Sequence, residues 1–300
     1  MVRLTGLAAL AIAVMPRFAD ATPMAPTPVE IVAAAPSGAW QTIPAGELML
    51  LDLAGGPAGT PRRVTIQLAP GFAPEHVANI RRLVAARSFE RTAVARVQDD
   101  YVVQWGDATQ PPPPGLALHP PAEYQRALRG LAITALAAPD AYAPALGFAL
   151  GWPVGYDRAA GTVWLAHCYG MVGVGRDMPP DTGSGAELYA VIGQAPRQLD
   201  RNIALVGRII GGIDILDTLP RGTAALGFYA QAGQRTPILR VRLASDLPPA
   251  GRPSWQVMLT ASPSFAAYVA ARANRRDPFY VRPAGGVDLC NVPVPVRRAP

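Results

Sequence analysis

The chain contains no lysine, so all 27 of its basic residues are arginine. So one-sided a usage reflects the codon composition of a GC-rich genome and points to a bacterial source more than to a chemistry. Charged residues make up only 16% of the chain, against about 25% in an ordinary globular domain, which excludes a wholly disordered or electrostatically solvated protein. Only three histidines, His76, His119 and His167, and two cysteines in no C-x-x-C arrangement are present, so neither a zinc cluster nor any other metal or cofactor is expected. After the N-terminus no run of about 18 apolar residues occurs, which excludes a membrane-spanning helix in the rest of the chain. The arginines are dispersed in short pairs such as Arg62-Arg63 and Arg275-Arg276, and despite a formal charge of +6 no nucleic-acid partner is expected.

What is abundant is proline and glycine, 33 and 29 in 300 residues, without a collagen-like period. They argue against a long helical bundle and for many turns. Half the chain is hydrophobic, ample for a core, and the length corresponds to roughly two domains or one domain with appendages.

Residues 1–21 read as a secretory signal peptide: Arg3 supplies the positive start, Leu4 to Met15 the apolar stretch, and Ala19-Asp20-Ala21 the cleavage site. Cleavage after Ala21 changes the formal charge to +5 and delivers a periplasmic protein with no stable membrane insertion. A retained N-terminal anchor is the competing reading, against which the run is short and broken by Pro16. In an oxidising compartment Cys168 and Cys290 allow one intramolecular disulfide, with two buried free thiols as the alternative. Cys168 beside His167 is not read as a nucleophile and its base, because neighbours on a strand point to opposite faces.

Residues 22–45, rich in alanine and proline, read as a linker, with order starting near Gly46. Strands are expected at Glu47–Leu53 and Val64–Leu68, a helix opening at Pro74 with Val77, Ile80 and Val84 on one face, and short strands at Thr92–Val97 and Tyr101–Trp105. About 108–160 reads as an insertion, opened by the rigid connector Pro111 to Pro114. Strand candidates follow at Gly161–Cys168, Gly170–Val174, Leu188–Ile192 and Ile203–Ile209, and a short helix at Gly212–Leu219. In the strand Ile238–Leu243, alternation puts Leu239, Val241 and Leu243 on one face. Residues 248–300 read as a C-terminal α/β extension with a strand at Trp255–Thr260, a helix from Ser262-Pro263 and a β-prone end at Val287–Val296. Many short strands with few helices favour a mainly β barrel.

The run Val64-Thr65-Ile66-Gln67-Leu68, the helix start Ala73-Pro74-Glu75-His76-Val77-Ala78-Asn79-Ile80, and Ala95-Arg96-Val97 leading to Val103-Gln104-Trp105-Gly106-Asp107 closely resemble the cyclophilin-type peptidyl-prolyl cis-trans isomerases. The similarity resumes at Gly170 to Arg176, Gly185 to Tyr189, and Leu199-Asp200 to Ile209, and covers about residues 46–247 with one insertion. More narrowly, the chain resembles divergent bacterial periplasmic members. The resemblance implies a closed eight-stranded antiparallel barrel capped by two helices, and rotation of the peptide bond before proline without a cofactor. It implies that Arg96 and Gln104 are catalytic, and that Tyr101, Val102, Gly175, Arg176, Glu187, Tyr189 and Leu199 bind substrate. The implied partners are proline-containing peptides or unfolded exported proteins.

Several positions depart from the family pattern. Ala95 and Ile203 stand where histidines are usual, and Gly175-Arg176-Asp177 replaces Ala-Asn-Ala. Glu187 replaces a glutamine and introduces a carboxylate able to draw Arg96 or Arg176 into an ion pair, while Trp105 replaces a glycine beside Gln104 with bulk that narrows the groove. The alternative functions are therefore an inactive proline-peptide binder or chaperone module and, from no motif, a structural envelope component.

Overall fold

The computed structural model describes residues 25–300, so the segment read as a signal peptide lies outside the described residues. Order begins well before Gly46. Helix α1 (Pro28–Ala33) is closed by a capping box: the Thr27 hydroxyl accepts from the Glu30 N–H, and the Glu30 carboxylate accepts from the Thr27 N–H. Strand β1 (Trp40–Thr42) follows, so the stretch expected to be a linker is built into the fold.

Strands β2 (Leu48–Leu53) and β3 (Arg62–Leu68) pair as the expected hairpin, and α2 (Pro74–Ala85) starts with proline in its first turn, where a missing N–H costs nothing. Strands β4 (Ala93–Val97) and β5 (Val102–Gly106) come next. The insertion carries β6 (Arg126–Ala127), β7 (Thr134–Leu136), β8 (Ala145–Ala149) and β9 (Trp152–Asp157), and its sheet is completed by β10 (Thr162–Leu165). Then come β11 (Met171–Val174), β12 (Glu187–Val191), β13 (Leu205–Gly211), the short α3 (Ile213–Asp217) and β14 (Thr236–Leu243). The chain ends with β15 (Trp255–Met258), α4 (Pro263–Ala273), capped by the Ser262 hydroxyl, and β16 (Val296–Arg298).

Eight strands close in the order β11-β12-β5-β4-β14-β2-β3-β13, every pair antiparallel, as expected. Alternation sends Leu51, Val64, Ile66, Val103, Val172 and Leu188 inward, and α2 seals the interior with Val77, Ile80, Leu83 and Val84. Closure leaves no free sheet edge in this unit. In β14 the alternation fails, because its register against β2 shifts between Ile238 and Arg240. The extra residue turns Ile238 inward, 2% exposed, and Leu239 outward, 46% exposed.

A second core lies outside the barrel. The insertion forms a five-stranded sheet, β6-β10-β9-β8-β7, so the candidate strand Gly161–Cys168 belongs to this sheet and not to the barrel. The chain ends form another, β1-β15-β16, so the terminal segments are one unit. Leu146, Phe148, Trp164, Met258 and Phe265 meet Leu48 and Met171 of the barrel strands there. Most of the β-prone end at Val287–Val296 is not a strand. Pro293 and Pro295 lack the N–H a ladder needs, and Val292 and Val294 are buried without it. A disulfide joins Cys168 to Cys290 and ties this tail to the chain just after β10.

Candidate active site

The pairing of β4 with β5 shifts between Val94 and Arg96: Val94 faces Trp105, Arg96 faces Gln104, and Ala95 is left over. This bulge lets Val94 and Val97 both enter the barrel core while Arg96 is aimed outward beside Gln104. Trp105, next to Gln104 on an alternating strand, is fully buried in the core. It does not narrow the groove, contrary to what its bulk implied.

Arg96 and Gln104 stand at the lip of an open cleft of about 840 Å³. Arg96 Nε donates to the Leu226 carbonyl at 2.6 Å, Nη1 to Gln104 Oε1 at 3.1 Å, and Nη2 to Gln98 Oε1. The guanidinium lies 5.6 Å from the ring centre of Tyr101 and 5.5 Å from that of Phe228. A guanidinium has five N–H donors; these three bonds leave two for a ligand. Burial draws the Arg96 pKa below its ordinary value, and the Tyr101 oxygen opposes the shift.

The anticipated ion pairs to Glu187 do not form. Arg176 donates to the carbonyls of Asn202 and Asp177 and lies over Tyr124, and Arg96 contacts neutral acceptors only. Glu187 instead accepts from Gln104 Nε2 at 3.3 Å. Burial raises its carboxyl above the usual range, and the charges of Asp107 and Asp177 add to this while the Gln104 bond opposes it. Gly175 is held to a minimum size: a Cβ there would sit 3.0 Å from Glu187 Cβ and 3.3 Å from Gln104 Nε2.

Below this rim Val102, Tyr189 and Val191, with Tyr101 and Ile203, form an apolar cluster separate from both cores, and Leu199 closes one wall. The structure thus brings all nine residues that the sequence assigned to catalysis and binding around one cleft, and adds Asp177, Ile203, Leu226 and Phe228. Leu226 and Phe228 lie in an irregular segment packed on β4, through a bridge between Arg96 and Phe228, which no local pattern announces.

A buried polar chain behind the cleft was not foreseen. The Tyr189 hydroxyl is 3.0 Å from His167 Nε2, and His167 Nδ1 is 2.9 Å from Asp200 Oδ1. With Nδ1–H donating to the Asp200 carboxylate, Nε2 accepts from the phenol. Asp200 Oδ2 also accepts from Arg197 Nε at 2.6 Å, and Arg197 donates to both oxygens of Asp140 in the insertion. Burial, then the charges of Tyr101 and Asp200, push the Tyr189 phenol far above its ordinary pKa, so it stays a neutral donor. On its other side the ring lies across Gly173, where a Cβ would overlap Cζ and the hydroxyl. Gly173→Ala is therefore expected to displace Tyr189 and to cost about 1–3 kcal/mol by overpacking. A proline-peptide titration followed by NMR should then show weakened binding; unchanged affinity would mean that the ring does not shape the pocket.

The family described as cyclophilin type peptidyl-prolyl cis-trans isomerase/CLD matches residues 57–243. The chain belongs to this family. Among solved structures, the cyclophilin AquaCyp293 from Hirschia baltica is similar at a TM-score of 0.66 and 24% identity, covering 87% of this chain and 94% of that one. The shared fold thus takes in most of the chain, beyond the barrel. A cyclophilin type peptidyl-prolyl cis-trans isomerase of Cryptosporidium parvum, solved in the presence of the dipeptide Ala-Pro, gives 0.40 and 12% over 65% of this chain and 98% of that one. The same protein solved separately gives 0.38 and 12% over 65% and 96%. No curated protein matches the sequence. This cyclophilin carries its cleft wholly within the matched region, whereas α1, β1, β15, α4 and β16 lie outside it.

Proposed function

We propose that this cyclophilin catalyses cis-trans rotation of X-Pro peptide bonds in exported, unfolded chains. The observation that carries the reading is the Arg96 guanidinium, unpaired with any carboxylate among the described residues and with two N–H donors to spare, at the lip of an apolar slot. Amide resonance sets the barrier at about 18–20 kcal/mol. As the bond twists, the prolyl nitrogen regains its lone pair and becomes an acceptor. An N–H of Arg96 aimed at that nitrogen binds the twisted state better than the planar one, which lowers the barrier. The slot formed by Val102, Tyr189, Leu199 and Tyr101 grips the pyrrolidine ring, and the rim at Gly175, Arg176 and Glu187 meets the flanking backbone. Gln104 is the positioning residue for the guanidinium. No bond is made or broken and no cofactor enters.

Gln104 Nε2 bonded to Glu187 favours a second reading, a binder without turnover, since one of its two N–H donors is then withheld from substrate. Exchange spectroscopy on an Ala-Pro peptide separates the two. Faster exchange in the presence of the protein supports the isomerase, and bound peptide with unaltered exchange supports the binder. Export is supported by the signal-like N-terminus and the Cys168–Cys290 bond. An intact mass from the periplasmic fraction should correspond to a chain starting at Thr22; recovery of the uncut chain in the cytosol would remove this part.

A further inference from the structure

Between α4 and the 3-10 turn at Leu289, residues 274–288 run without regular structure, a length at which loops are usually functional or disordered. This one is built. Asn274 Oδ1 accepts from the Gly285 N–H at 3.0 Å and closes its base, the Tyr280 N–H donates to the Asp277 carbonyl at 3.0 Å, and Arg275 is paired with Asp277 at 2.7 Å and lies over the Tyr280 ring. At its tip Phe279 is 83% exposed and Val281 100% exposed, with Tyr280 beside them. Single apolar residues on a surface are ordinary, but three in succession at the end of a tethered loop are not. Three arginines flank them against one aspartate, and Arg276 and Arg282 are exposed and make no ion pair among the described residues. Aromatic and aliphatic tips ringed by arginine match the layered chemistry of an anionic bilayer, with acyl chains below and phosphate above.

The start of the described chain supplies an independent pointer. Ala25 and Pro26 line the same depression as Arg275, Arg276 and Asp277. The described chain therefore begins at the face that carries this loop.

We propose that the loop 274–286 docks this protein peripherally on an anionic lipid surface, with Phe279 and Val281 in the interface and Arg276 and Arg282 on the phosphates. The cleft and its chemistry are not involved, so the proposal stands whether or not the protein turns over X-Pro bonds.

The test is co-sedimentation of the full chain with vesicles of phosphatidylglycerol and phosphatidylcholine, compared with phosphatidylcholine alone, at low and high salt. Binding should require phosphatidylglycerol and weaken with salt. Phe279→Ser with Val281→Ser should reduce partitioning at least tenfold, and each of Arg276→Gln and Arg282→Gln about fivefold. These variants lie far in the chain from Arg96 and should leave peptide exchange unchanged, which controls for folding. An environment-sensitive dye on Phe279→Cys, selective because both native cysteines are bonded, should shift to the blue only with anionic vesicles. A dye that does not respond, or loop variants that bind vesicles like the parent, would overturn the proposal and leave any lipid affinity to the N-terminal stretch. Concentration-dependent self-association abolished by the same variants, without lipid binding, would overturn it in favour of a second copy of the chain.

Discussion

Arg96→Ala should lower kcat/KM for an Ala-Pro peptide by about 10²–10³-fold, the range seen when one preorganised donor to a transition state is deleted. The melting temperature should fall by at most about 6–12 °C, because the three bonds that Arg96 makes are to neutral acceptors at a partly exposed rim, each worth about 1 kcal/mol net. Arg96→Lys should behave nearly like alanine. An ammonium is a point donor on a flexible stem and cannot hold Leu226, Gln104 and Gln98 while presenting further N–H groups in a plane. Gln104→Ala should cost less and fall mainly on kcat, since it loosens the guanidinium without removing it. Turnover in Arg96→Ala equal to the parent would sink the assignment of the cleft as an active site. Full peptide affinity with lost turnover is the expected signature of a group that acts chiefly on the twisted state.

The second large effect concerns stability. Cys168 and Cys290 enclose a loop of 122 residues, and in the chain-entropy model closing so long a loop contributes about 4–5 kcal/mol. Replacing both by serine should lower Tm by roughly 8–16 °C in a protein of this size. The loss should be local in origin, because the bond fastens the tail over the outer core and neither cysteine belongs to the inner core of the barrel. Hydrogen exchange should show β15, β16 and α4 losing protection first, with β3, β5 and β12 retaining theirs. Uniform loss across both cores would show that they do not open separately, and an unchanged Tm would show that the reduced chain is already held by the packing around Leu289 and Val292.

The barrel was legible where local rules suffice. The alternation in Val64–Leu68 and the proline at the start of α2 each state their structure within a few residues. The orientation of Trp105 was misjudged although its signal was present: with Gln104 facing the cleft, alternation sends both of its neighbours inward. The capping box Thr27-x-x-Glu30 was present in the chain but masked by the surrounding alanine and proline. What local pattern cannot carry is a relation set by a distant partner. The slip in β14 is defined only against β2, and the bulge that aims Arg96 only against β5. The polar chain behind Tyr189 joins residues from the insertion, the segment after β10 and the turn before β13, so no window of sequence contains it. Glu187 was misjudged because a carboxylate near arginines was taken to choose them, whereas each guanidinium is already engaged by backbone or amide oxygens.

The pairing of β1 with β15, Trp40 opposite Met258, means that the first strand among the described residues has no partner until more than two hundred further residues have been made. Until then Trp40 and its neighbours present an open, sticky edge. Every barrel strand precedes Trp255 in the chain, so the outermost sheet works as a seal that is set only after the barrel strands have been made.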